Sequence, residues 1–281
     1  MIDKNTPLIS VVMPVHNGEK FLGEAIESVL NQTFSNFEFI IVNDGSTDRT
    51  GDIIEKCAQK DQRIICLNNE NKLGQSTTRN KAIRQAIGTY VALADADDVS
   101  LSSRFMEQVE YMKNHPKIDV LGAYFCLSAG GPIDECRIVP AYVHDVRNGK
   151  PPVHNPTCMI KRKTFLDFGY YDSKYDNAED VELWFRWFSR GVRFENMAKV
   201  LYKKRIHEGS VSISKIRHQM YLLLKINIIA LSRYRVRFTS KGYLRILEQA
   251  FYLLYLFLRL DRIYVRDKAV YNLKRKAKYE Q

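Results

Sequence analysis

Apolar residues in this chain fall into short runs that alternate with stretches of helical spacing. Residues 8–15 are β-branched and almost wholly apolar, as a strand buried on both faces requires. After Glu19, the residues Phe21, Leu22, Ala25, Ile26, Val29 and Leu30 recur with the period of an amphipathic helix. The alternation then repeats. Residues 37–42 precede a helix carrying Ile53, Ile54 and Ala58, and residues 63–67 precede a helix over about 74–86, with Gly88 expected at its C-terminal cap. Residues 89–94 form a fourth apolar run, followed by a helix over 101–114 that Asp97, Asp98 or Ser100 would cap. Strands alternating with helices predict βαβ units and a parallel sheet covered by helices. Ligands of such sheets gather at the carboxyl ends of the strands.

That rule turns scattered polar residues into one rim, because His16, Asn17, Asp44, Ser46, Asp95 and Asp97 all follow strand ends. The sharpest feature is Asp95-Ala96-Asp97-Asp98. Carboxylates this close repel one another, so they share a cation or several hydrogen-bond donors. Mg²⁺ and Mn²⁺ prefer oxygen ligands and commonly take one or two carboxylates together with substrate phosphates. No turn has the G-x-x-x-x-G-K or G-x-G-x-x-G pattern, so carboxylates, a metal and side-chain cations must hold any nucleotide. Arg79 is either such a cation or a solvated surface charge.

Four motifs in order, Pro14-Val15-His16-Asn17-Gly18-Glu19, Val42 to Asp48, Gly74 to Asn80 and Asp95 to Asp98, resemble those of the family 2 glycosyltransferases with the GT-A fold. The resemblance covers about residues 7–210 and implies a single-domain Rossmann-like mixed α/β sheet flanked by helices. It also implies an inverting transferase that takes a nucleotide sugar, UDP-linked by expectation, with Mn²⁺ or Mg²⁺. Residue by residue, Pro14, Val15, His16, Asn17 and Glu19 would flank the nucleotide, and Asp44 would read its base. Arg79 would hold the uridine end, Asp95 and Ala96 would lie at the ribose or donor sugar, and Asp97 would coordinate the metal. His16 departs from the Tyr common in the family. Glu179-Asp180 matches the family's Glu-Asp motif and implies Asp180 as the base for the acceptor hydroxyl, with Glu179 binding the acceptor. Acidic residues also favour the first turn of any helix. Arg205-Ile206-His207 resembles an Arg-x-His element. It implies His207 as a metal ligand or diphosphate donor and Arg205 as the cation neutralising the leaving group; otherwise His207 is a surface residue. His154 is a turn side chain or lines the acceptor pocket, and Trp184 and Trp187 belong to the core.

Charge divides the chain. Residues 203–281 hold 19 Lys and Arg against 5 Asp and Glu, a net of +14, so the +11 of the whole leaves −3 for residues 1–202. Residues 1–212 are thus expected to be the catalytic domain and 213–281 a basic helical region. Within the latter, residues 243–260 are apolar and aromatic but interrupted by Arg245, Glu248, Gln249 and Arg259. The uninterrupted part is shorter than the roughly 20 apolar residues that span a bilayer. An interfacial helix on anionic membrane is the first expectation, packing on the enzyme or an oligomer contact the second. No nucleic-acid motif accompanies the charge. The five cysteines are scattered without a C-x-x-C pair, and no signal peptide is read at the N-terminus. These point to reduced thiols and a cytoplasmic protein, peripheral at the inner membrane face. Residues 128–152 are the most loop-like and are expected to select the acceptor, a glycan or lipid-linked hydroxyl. The competing class is a non-catalytic sugar-nucleotide or membrane-binding protein of the same fold.

Overall fold

The computed structural model describes residues 6–128, 137–140, 143–207 and 216–257. Its order is β1 (Ile9–Val15), α1 (Leu22–Leu30), β2 (Phe37–Asp44), α2 (Thr50–Ala58), β3 (Ile64–Asn69), α3 (Gln75–Gln85) and β4 (Tyr90–Leu93). Then come β5 (Val99–Ser100), α4 (Arg104–Asn114), β6 (Val120–Ser128), β7 (Arg137–Val139), β8 (Met159–Lys161), α5 (Arg162–Phe168), α6 (Glu179–Ser189) and β9 (Phe194–Arg205). The helices α7 (Ile216–Ser232) and α8 (Ser240–Phe257) follow.

One sheet runs in the order β3-β2-β1-β4-β8-β6-β9-β5, with β7 beside β6. Its first four strands are parallel, as the βα alternation predicts. Beyond β4 the sheet is mixed, because β8 is antiparallel to both β4 and β6. Alternate side chains of β1 serve opposite layers, Val11 and Met13 facing α1 and Val12 facing the α3 side, so both faces carry a core. Burying each such side chain stabilises the fold by about 1.5–3 kcal/mol. Trp184 and Trp187 are fully buried in the second core.

Three local expectations change. α3 is capped by Ala86, not Gly88. Gly88 instead lies where β1 passes closest, and a Cβ there would stand 2.7 Å from the Ser10 nitrogen. α4 starts at Arg104 with Ser103 at its cap position, so neither Asp97, Asp98 nor Ser100 caps it. Cys57, Cys66 and Cys158 are free thiols, but Cys126 is disulfide-bonded, against the expectation of reduced cysteines throughout. Spacing rules miss such a bond because they look for close pairs such as C-x-x-C, and none occurs in this chain.

α7 and α8 pack onto the enzyme rather than standing apart. Leu222, Ile226, Ala230, Val236 and Phe238 form a third core with Val146, Val181 and Phe185. Residues 129–136 and 141–142 of the expected acceptor loop and residues 258–281 of the tail lie outside the described residues.

Candidate active site

The strand ends are locked together by their loops. Asn17 takes the left-handed conformation (φ 50°), which Asn tolerates better than most residues. Its N–H donates to Ser46 Oγ (2.9 Å) and its Oδ1 accepts from the Thr47 N–H (2.9 Å). Gly18 N–H donates to Thr50 Oγ1 (2.8 Å), Glu19 N–H to Asp48 Oδ2 (3.1 Å), and Glu19 Oε2 accepts from Arg49 N–H (3.2 Å). Pro14 and the buried Val15 carry β1 into this turn. His16 Nδ1 lies 2.8 Å from the Asp44 carbonyl oxygen. A carbonyl only accepts, so Nδ1 is the donor in this contact.

Asp44 is 3 % exposed. Its carboxylate accepts from Leu73 N–H (2.8 Å), Gly74 N–H (3.0 Å) and Asn69 Nδ2 (2.8 Å). Burial alone would raise its pKa, but these bonds together outweigh it and hold the carboxyl below its usual range. Asp44 thus fixes the turn before α3. Gly74 is required there, having φ 93° and no room for a side chain against the Asp176 carboxylate.

Arg79 is the centre of the site and not a surface charge. Its side chain is 1 % exposed and spans two carboxylates, Nη2 to Asp95 Oδ1 and Nη1 to Glu179 Oε1, each at 3.1 Å. It also lies over the Tyr171 ring at 5.2 Å. A full ion-pair set this deep is what keeps a guanidinium charged out of water. Asp95 is partly open, and its N–H donates to the Tyr202 hydroxyl oxygen (3.1 Å). Burial raises its carboxyl pKa, Arg79 opposing and Asp97 adding to the rise. Ala96 packs between this turn and the core near Gly18.

The rest of the acidic cluster divides its work. Asp97 is the most open, with 38 % of its side chain exposed, and its Oδ2 sits 2.8 Å from His207 Nε2. Asp98 is buried and accepts the Arg205 N–H (2.8 Å); burial drives its pKa well up. Arg205 is engaged on three sides. Its Nη2 reaches Glu24 (2.6 Å), its Nε donates to the Asp97 carbonyl (3.0 Å), and its guanidinium covers the Phe21 ring at 4.5 Å. Among the described residues no group of three or more His, Cys, Asp or Glu is arranged for a metal. Asp97 and His207 together offer two ligands, a set that fits an ion completed by phosphate oxygens and water.

α6 opens on the second acidic pair. Glu179 turns inward, 4 % exposed, with Oε1 on Arg79 and Oε2 accepting the Asn177 N–H (2.8 Å), so it is not turned toward an acceptor. Burial, offset by Arg79 and reinforced by Asp180, raises it to about 7. Asp180 is half-buried, and Oδ1 accepts from the Val181 N–H (2.9 Å). Burial raises its pKa against the helix N–H and the Arg79 and Lys204 charges. His154 stacks on Phe125 (3.9 Å) with Nε2 buried and without a partner, and burial then Lys204 push its pKa well down.

Spacing rules had no means of finding Tyr171, Tyr202, Lys204 or Arg104. Arg104 is fully buried under β4, donating to the Leu93 and Cys158 carbonyls (2.9 and 3.2 Å), Ser100 Oγ (3.0 Å) and Gln108 Oε1 (3.1 Å). Burial lowers it to about 10. A buried arginine beside an acidic turn is visible in sequence only as one more helical charge.

Residues 10–163 match the profile of Glycosyl transferase family 2. The uncharacterized glycosyltransferase MJ1057 of Methanocaldococcus jannaschii is 35% identical over 224 residues, 77% of each chain. An Escherichia coli relative, UDP-Glc:alpha-D-GlcNAc-diphosphoundecaprenol beta-1,3-glucosyltransferase WfaP, is 30% identical over 219 residues, 75% of this chain and 82% of that one. Among solved structures, S. aureus TarS 1-349 with UDP-GlcNAc superposes with a TM-score of 0.63 at 23% identity, covering 78% of this chain and 66% of that one. Mannosyltransferase PcManGT from Pyrobaculum calidifontis, with GDP-Man and Mn²⁺, gives 0.64 at 16%, covering 88% and 70%. Those two likenesses concern the fold, and the profile and the relatives concern descent. With the strand-end carboxylates and the Glu-Asp pair meeting across Arg79 on that fold, the chain is an enzyme of glycosyltransferase family 2, built on the GT-A architecture.

Proposed function

We propose that the enzyme transfers a sugar, with inversion, from a nucleoside diphosphate donor, UDP in first place, to a hydroxyl of a glycan or lipid-linked acceptor in cell-surface polysaccharide synthesis. Residues 1–212 would carry the reaction. The observation that bears most weight is Arg79, which ties Asp95 on the donor rim to Glu179 beside Asp180. A donor carboxylate and a candidate base held by one guanidinium suit direct displacement. In that step the acceptor oxygen attacks C1 as its proton passes to Asp180 and the diphosphate leaves. Asp180 has the attributes of a base, being partly open and raised in pKa by burial. Glu179 acts as a positioning residue, and Asp44 and His16 stand where a base would rest on the β1–β2 rim. Asp97 and His207 would hold Mn²⁺ or Mg²⁺, which when bound neutralises charge on the diphosphate. WfaP's name specifies a UDP-glucose donor and a diphosphoundecaprenol-linked acceptor, and PcManGT was solved with Mn²⁺, which support the donor, acceptor and metal classes.

A lipid-linked acceptor also suits a peripheral position at the inner membrane face. No described helix is long and apolar enough to cross a membrane. α8 nevertheless exposes Leu244, Leu247, Phe251 and Leu254, each more than half exposed and spaced along one stripe, in the basic part of the chain. Two measurements test the reading. Donor hydrolysis across UDP and GDP sugars, with Mn²⁺ and with EDTA, is expected to show metal-dependent turnover of a UDP sugar. No turnover of any nucleotide sugar would sink it. Flotation with anionic liposomes is expected to be lost on Leu247→Glu/Phe251→Glu and weakened by salt; recovery unaffected by either change would remove the membrane contact.

A further inference from the structure

The last residues of β9 divide between two faces. Tyr202 faces the catalytic rim, its hydroxyl oxygen accepting the Asp95 N–H at 3.1 Å. Arg205 faces away, toward Glu24 and Phe21. With the two-residue period of a strand, Lys204 shares the face of Tyr202 and not that of Arg205. The β6–β9 register agrees. Phe125 is opposite Tyr202 and carries His154 stacked on its ring, so Lys204, opposite Leu127, lies on the side that holds His154.

Lys204 is half-buried, and it makes no hydrogen bond or ion pair with any described residue. Every other basic group singled out in the site is engaged: Arg79 by Asp95 and Glu179, Arg104 by carbonyls, Arg205 by Glu24. Among the described residues and these basic groups, Lys204 is the one whose ammonium donors have no partner. Its charge is felt by Asp95 and Asp98 on the donor rim and by Asp180 and His154 on the other side. Lys204 thus puts a positive charge on the face of β9 that carries Tyr202, which holds Asp95, and among the described residues it has no ion-pair partner there, so it can meet an anion that gains charge beside Asp95.

We propose that Lys204 binds the distal phosphate of the donor's nucleoside diphosphate and stabilises it as it leaves, while Arg205 serves only to hold the turn at Asp97 and Asp98. This rests on the functional reading above. As the bond from C1 to the phosphate oxygen breaks, its electron pair passes to that oxygen, the acceptor oxygen bonds to C1, and the acceptor proton goes to Asp180. Lys204 keeps its own proton and donates a hydrogen bond to the oxygen that gains charge. Charge-assisted bonds of this kind are about twice as strong as neutral ones, and loss of one donor to a developing anion lowers turnover by about 10²–10³.

The test is calorimetry of UDP and UMP on the full chain, with GDP and GMP in parallel, for wild type, Lys204→Met, Lys204→Arg and Arg205→Met. Lys204→Met is expected to weaken UDP by about 10-fold while leaving UMP within about 2-fold, because only the distal phosphate loses a partner. Lys204→Arg should recover part of the loss, and Arg205→Met should keep the wild-type ratio of UDP to UMP affinity. Equal losses for both nucleotides in Lys204→Met, or no loss in either, would overturn the assignment. A wild-type chain binding none of the four would overturn the functional reading and the assignment with it.

Discussion

Replacing Arg79 with Met removes one charge and strands two. The guanidinium is 1 % exposed, and its partners differ in access to water: the Glu179 side chain is 6 % exposed and that of Asp95 26 %. Taking one partner from a buried pair costs about 3–5 kcal/mol, because the remaining charge stays in a poor solvent. Water reaches Asp95 and screens it, so most of the loss should come from Glu179. A double-mutant cycle separates the two. Coupling of Arg79→Met with Glu179→Gln is expected at about 3 kcal/mol, and with Asp95→Asn at about 1 kcal/mol or less.

The pH dependence follows from Glu179, which burial raises to about 7 even with Arg79 beside it. Without Arg79 its folded pKa rises further. A carboxyl raised in the folded state contributes stability that is present below its unfolded pKa and lost as pH climbs through the folded one. The penalty of Arg79→Met should therefore grow as pH rises past about 7, and Glu179→Gln should flatten that growth. Urea unfolding read by tryptophan fluorescence measures this, since Trp184 and Trp187 lie on α6 with Glu179 and are both buried; the midpoint is expected to fall by about 1 M or more. A loss under about 1 kcal/mol, equal couplings to the two carboxylates, or a penalty that shrinks as pH rises would refute the reasoning.

Asp180→Asn should leave UDP affinity within about 2-fold and lower transfer by about 10²–10⁴, and near-normal transfer would remove Asp180 as the base. Asp97→Asn should instead weaken metal-dependent UDP binding along with turnover, and equal UDP affinity in EDTA and in Mn²⁺ for the wild type would dismiss its metal role. Gly88→Ala should destabilise by about 1–3 kcal/mol in chemical denaturation, because the added Cβ meets the backbone of a central strand rather than a flexible side chain; a neutral result would mean that β1 yields easily. The acid limb of the transfer rate should lie above the ordinary Asp range, since burial raises Asp180 and the base must be ionised; a limb at the ordinary value would contradict that burial.

Much of this molecule was open to local reasoning. The first four strands and their helices follow from periodicity, because a β-branched run and an amphipathic stripe each have few ways to bury their apolar side chains. The strand-end rule then located Asp44, Asp95 and Asp97 on one rim. The Glu-Asp pair and His207 came from motif resemblance. What stayed hidden depends on contacts between residues far apart in the chain. Arg79 meets Glu179 across 100 positions, and Arg205 meets Glu24 across 181. No local pattern says whether an arginine points to solvent, as expected of one, or spans two buried carboxylates. The antiparallel insertion of β8 beside β4 was likewise invisible in the alternation of elements, since a three-residue strand has too little pattern to read. Composition alone showed that the tail is basic and apolar, but only packing decided that α7 lies against α6 and α8 against α7, with the Leu244 to Leu254 stripe left outside. Sequence determined which groups this enzyme possesses and roughly where the chain turns. Tertiary structure decided which charges neutralise one another and which, like Lys204, have no ion-pair partner among the described residues, because electrostatic pairing depends on distance and access to water and not on order along the chain.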